Sequence, residues 1–110
     1  MVMTTVAIVG AAGSLGQVMT PILANSDAVK EIRSISRRDL TFDSPKIKNF
    51  MVDYTKPETL EAALKGVDVL INTMGTEGNY EQSKHALVDA AAASGVKFYI
   101  PRYRRRNIFY

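Results

Sequence analysis

"VAIVGAAGSLGQVM", residues 6–19, sets three glycines, Gly10, Gly13 and Gly16, between a β-branched run and an amphipathic stretch. The run over residues 5–9, "TVAIV", has the pattern of a strand buried on both faces. Leu15, Val18, Met19, Ile22 and Leu23 recur at helical spacing and predict a helix over residues 14–25. Pro21 falls inside that helix and weighs against its being unbroken. Strand, glycine turn and helix in this order have two readings: a cradle for phosphates, or a tight turn with no ligand. In a cradle one glycine permits backbone angles that a side chain forbids. A second lets a pyrophosphate approach the main chain, and a third lets helix pack closely on strand. The free N–H groups and dipole of the helix then hold the phosphates. The spacing G-x-x-G-x-x-G is looser than G-x-G-x-x-G, so the triplet alone decides nothing. Its surroundings must decide.

Those surroundings alternate strand and helix. "EIRSISRR" (31–38) reads as a second strand, and "SPKIKNFMVDY" supplies a third, centred on residues 47–52. Thr55-Lys56-Pro57-Glu58 has the spacing of a capping box with proline in the first turn. The helix it starts carries Leu60, Ala63 and Leu64 on one face and stops at Gly66. A fourth strand follows over residues 67–72, then an alanine-rich helix over residues 80–94, then a fifth strand over residues 96–100 that Pro101 ends. The order β-α-β-loop-β-α-β-α-β predicts an α/β fold, a doubly wound parallel sheet of about five strands in the order 3-2-1-4-5.

Composition bounds the function. At 110 residues the chain is one domain at most, and 46% apolar with 23% charged residues is globular. Without cysteine there is no disulfide, thiolate nucleophile or cysteine-held metal, and a single histidine, His85, excludes a histidine-rich metal site. The opening apolar run is too short for a signal-peptide core or a membrane span, so a cytoplasmic location and no membrane partner are expected. The net charge of +3 is local: Arg102, Arg104, Arg105 and Arg106 crowd the end, and without them ten basic residues face eleven acidic ones. Nucleic-acid binding could rest only on that tail, and four arginines are weak grounds for it.

In an open parallel sheet, ligands bind beyond the carboxyl ends of the strands where the strand order reverses. The glycine turn is predicted there. At the end of the second strand an acid would favour the ribose 2′-hydroxyl of NAD, whereas arginines would accept the 2′-phosphate of NADP. The residues present are Ser36, Arg37 and Arg38, with Asp39 next door. A guanidinium forks onto phosphate oxygens and stacks on adenine, so NADP(H) is the expected cofactor. Asp53 and Tyr54 follow the third strand, where a side chain can reach adenine, although Asp53 could equally serve a turn. Thr73, Met74 and Gly75 follow the fourth, beside the expected nicotinamide ribose.

Taken together, "VAIVGAAGSLG", "SRR", "VDYTKPETLEAALKGVDVLINTMG" and "ALVDAAAASGVKFYIP" resemble the NmrA-like, isoflavone-reductase-like branch of the atypical short-chain dehydrogenases. The resemblance runs over about residues 5–101 and implies a Rossmann-like NAD(P)-binding domain over residues 1–101. It implies that Gly10, Gly13, Ser14, Leu15 and Gly16 form the pyrophosphate loop and that Arg37 meets the 2′-phosphate. Asp53 and Tyr54 would then sit near adenine, and Thr73, Met74 and Gly75 would line the central cleft. Members are NADPH-dependent reductases of small molecules or non-catalytic regulators that sense NADP. They run to roughly three hundred residues, with a C-terminal substrate region and a later catalytic lysine. This chain instead ends "PRYRRRNIFY". The expectation is a truncated or misread product, from an unspliced intron or a frameshift, with a disordered basic tail over residues 102–110. A small-molecule substrate would then belong only to a full-length parent, and no catalytic residue is assigned.

Two readings stand beside the cofactor-binding domain of a reductase: a non-catalytic NADP sensor, and a nonfunctional fragment whose shortened sheet exposes apolar surface. Tyr80 and Lys84 match the tyrosine-x-x-x-lysine pair of typical short-chain dehydrogenases, in which lysine lowers the tyrosine pKa. Here the pair opens the helix before the fifth strand, earlier than in those enzymes, and is read as structural. His85 is read as a helix-surface residue.

Overall fold

Alternation along one strand organises the molecule. Val6 and Ile8 sit in one apolar cluster and Ala7 and Val9 in another, all nearly solvent-free. A strand whose successive side chains are buried on opposite faces must be covered on both. The computed structural model describes residues 4–10, 14–73 and 80–100. The strands are β1 (Thr4–Val9), β2 (Val29–Ser36), β3 (Ile47–Met51), β4 (Val69–Asn72) and β5 (Phe98–Ile100). The helices are α1 (Ser14–Ala24), α2 (Pro57–Leu64) and α3 (Tyr80–Ser94). All four strand pairings are parallel, in the order β3-β2-β1-β4-β5. This is the expected Rossmann-like doubly wound sheet.

Met19, Leu23 and Ala24 of α1 pack on the face formed by Val6, Ile8, Ile32 and Ile71. Leu60, Ala63 and Leu64 of α2 and Leu87, Ala90 and Ala91 of α3 cover the opposite face with Ala7, Val9, Ile35 and Leu70. The buried alanines let α3 come close, as small residues do. α1 is one helix with Pro21 exposed inside it. Its apolar set is wider than the stripe the sheet can cover: Val18 and Ile22 are 60% and 65% exposed. They lie one residue, about 100° of turn, from the half-buried pair Met19 and Leu23.

The expected capping box is not formed. Lys56 is the residue that precedes α2, and no side chain caps it. The Thr55 hydroxyl donates instead to the Asp53 carboxylate at 2.6 Å, which also accepts the Thr55 amide at 2.9 Å. A neighbouring charged acceptor outcompetes the helix amides, so an Asx turn replaces the box. Pro57 does open the helix as expected. α2 and α3 are followed by Gly66 and Gly95 at φ of +82° and +79°.

Side chains pin these elements. The Arg33 guanidinium donates to the carbonyls of Ala63 (2.9 Å) and Lys65 (2.7 Å) at the end of α2 and stacks on Phe50, 5.1 Å away. The Asp68 carboxylate accepts the Thr5 amide at 3.0 Å, tying the start of β1 to the entry of β4. Among the described residues no helix is long and apolar enough to cross a membrane.

Candidate functional site

The strand order reverses at β1, which lies between β2 and β4, and the chain leaves β1 at Gly10 with φ of +87°. Only glycine adopts that angle without strain, so the turn after β1 needs the residue it has. Gly16 is buried in α1. β2 ends at Ser36, two residues before the predicted end, because its last rung is the pair Ser36 and Met51. Arg37 and Arg38 are thereby placed past the strand, in the loop beside the reversal. The Ser36 hydroxyl accepts the Arg38 amide at 3.0 Å and shapes that loop.

Val9, Gly10, Ile35, Ser36, Arg37, Arg38 and Tyr54 line one cavity of about 390 Å³. Four residues predicted for the site, Gly10, Arg37, Arg38 and Tyr54, therefore converge from three separate stretches of chain. Ile35, almost solvent-free, closes the base with Val9. Both guanidinium groups are exposed, and neither makes an ion pair among the described residues. Burial pushes the Tyr54 hydroxyl above its ordinary pKa, and the charge of Arg37 opposes the shift. The tyrosine is thus neutral, half-buried and beside a cation.

Asp53 is adjacent but does not line the cavity. Its carboxylate serves the turn with Thr55, and that hydrogen bonding, chiefly from the Thr55 hydroxyl, holds its pKa below the ordinary value. Thr73 is buried behind the turn, its hydroxyl 2.7 Å from the Val9 carbonyl and 3.1 Å from that of Gly10. Ser14 and Leu15 open α1. Their side chains lie outside the described residues, as do Gly13, Met74, Gly75 and the 102–110 tail. Tyr80 opens α3, with its side chain also outside the description, and His85 is exposed on that helix.

A larger cavity, about 630 Å³, lies between α1 and the approach to β3, lined in part by Thr20, Pro21, Phe42 and Ile47. It sits away from the carboxyl ends of the strands and holds no basic group. Size alone does not make a binding site; the smaller cavity has position and charge. No group of three or more potential metal ligands is found among the described residues.

The sequence matches the family described as NAD(P)H-binding over residues 10–101. No curated protein matches it. Among solved structures the chain is similar to uronate dehydrogenase from Agrobacterium tumefaciens, with TM-score 0.74, 24% identity and 92% of this chain covered. A mutant of that enzyme was solved in complex with NAD. The chain is also similar to a Rossmann-fold NAD(P)-binding family protein from Shigella flexneri, with TM-score 0.76, 21% identity and 88% coverage. A third likeness is to an oxidoreductase from Lactococcus lactis, with TM-score 0.74, 25% identity and 88% coverage. The chain spans 41%, 50% and 47% of those three structures, half their length or less.

Proposed function

The chain belongs to the NAD(P)H-binding family, and from that premise we propose that it is the NADP(H)-binding part of an NmrA-like, isoflavone-reductase-like oxidoreductase. One observation carries the choice of NADP over NAD. Arg37 and Arg38 line the cavity beside Gly10, and neither guanidinium is neutralised by an ion pair among the described residues. Two uncompensated cations at the end of the second strand suit a 2′-phosphate, where a carboxylate would suit a 2′-hydroxyl.

The residues present fit that cofactor at its adenosine end. Gly10 offers backbone to the phosphates, the arginines offer charge, and Tyr54 with Ile35 offers apolar surface for adenine. When bound, NADPH supplies a hydride, and the protein's part is to hold and orient it. The sequence motifs from residues 5 to 101 support the NmrA-like assignment. The substrate is a small molecule taken up by the parent of this domain.

Arg37→Ala is the direct test. It should weaken NADPH about tenfold or more, the scale of a lost charge-assisted hydrogen bond, and leave NADH within twofold. Isothermal titration with both cofactors reads the difference. Equal loss for both cofactors would remove Arg37 from the 2′-phosphate.

A further inference from the structure

We propose that Thr73 is a positioning residue for the glycine turn and sets dinucleotide affinity through Gly10, an inference that rests on the cofactor reading above. β1 and β4 pair up to the rung of Val9 with Asn72. One residue further, the Thr73 amide donates to the Val9 carbonyl at 3.0 Å. The Thr73 hydroxyl donates to that same carbonyl at 2.7 Å and reaches the Gly10 carbonyl at 3.1 Å. A hydroxyl has one proton, so the two carbonyls share it as a three-centre bond.

The placement of this latch matters. Gly10 is where the chain turns out of β1 with positive φ, and it also lines the cavity with Arg37 and Arg38. A carbonyl oxygen carries partial negative charge, and one aimed at a phosphate site repels the ligand. Drawn toward Thr73, the Gly10 carbonyl is turned to β4 and away from that role. Thr73 is itself only 5% exposed, so it acts on a ligand through the turn. On the other flank of β4, the Asn72 side-chain amide donates to the Tyr99 hydroxyl at 3.1 Å. The carboxyl end of β4 is therefore tied on both sides.

The prediction separates this latch from the arginine site. The pyrophosphate is common to both cofactors, so Thr73→Val should weaken NADPH and NADH by the same factor, about fivefold to tenfold. Thr73→Ser, which keeps the hydroxyl, should stay within twofold of the parent for both. Unchanged affinities in Thr73→Val, or a loss confined to one cofactor, would overturn the proposal. Amide hydrogen exchange of the ligand-free chain gives a second readout. Exchange across Gly10 and the residues after it should rise several-fold in Thr73→Val and in Thr73→Ala, and return to the parent rate in Thr73→Ser. Unchanged exchange in both hydroxyl-free variants would overturn the latch even if the parent bound neither cofactor, a result that would remove only the cofactor reading.

Discussion

A few polar side chains decide how the chain is held, and one of them makes stability depend on pH. The Asp68 carboxylate accepts the Thr5 amide at 3.0 Å and lies 3.6 Å from the Lys97 ammonium. The bond from Thr5 is the leading cause that holds its pKa below the ordinary 3.8, with Lys97 adding to it. Asp53 is shifted in the same direction by Thr55. A carboxylate whose pKa is lower in the folded state stabilises the fold fully above its unfolded pKa. That contribution is lost as pH falls through the folded value. Urea midpoints should therefore hold steady from neutrality to about pH 5 and fall below about pH 4. Asp68→Asn should lower the neutral plateau and flatten the acid limb; an unchanged acid limb would take Asp68 out of the account.

At the scale of elements, α2 and α3 are each ended by a glycine in the left-handed region, and the two sites differ in surroundings. A Cβ at Gly66 would meet only the Arg33 guanidinium, at 3.9 Å, and one at Gly95 would meet nothing within 4 Å. Space is available at both, so alanine should cost only the backbone strain, about 1–2 kcal/mol at each position. Thermal melts of the two single variants check this, and a clear excess at Gly66 would mean that Arg33 had been displaced. The end of α2 at Gly66 was legible in the sequence because glycine is a local signal. The start of α2 was not: Thr55 and Glu58 have capping-box spacing, but Asp53, two residues upstream, takes the hydroxyl. The start of β2 was also missed, since Val29 joins it by pairing with Thr4 of β1 across a register shift that leaves Lys30 without a β1 partner, which periodicity does not see. On α1, spacing marked Val18 and Ile22 as apolar, yet only packing could show that Met19 and Leu23 meet the sheet.

For the whole molecule, the β-branched run before Gly10 and the repeated strand-helix alternation were enough to yield five parallel strands in the right order. A parallel sheet needs crossovers, and each predicted helix supplied one. The placing of Gly10, Arg37, Arg38 and Tyr54 at or just past strand ends was legible, and the four line one cavity. Asp53, for which a turn and adenine stood as equal readings, hydrogen-bonds in the turn before α2, and Thr73, expected beside the nicotinamide ribose, bonds to the Val9 and Gly10 carbonyls. On β5, an edge strand among the described residues, Phe98 is 66% and Ile100 48% exposed, in a chain half the length of its structural neighbours or less. Such surface on an edge strand is aggregation-prone, so binding studies belong at low protein concentration.

The proposed cofactor site is selective for the 2′-phosphate. The most direct measurement is a pair of titrations of the unmodified chain, with NADPH and with NADH, under one buffer and salt condition. Saturable one-site binding of NADPH at least tenfold tighter than NADH is expected, with the gap narrowing as salt rises. Equal affinity for the two, or tighter binding of NADH, would contradict it.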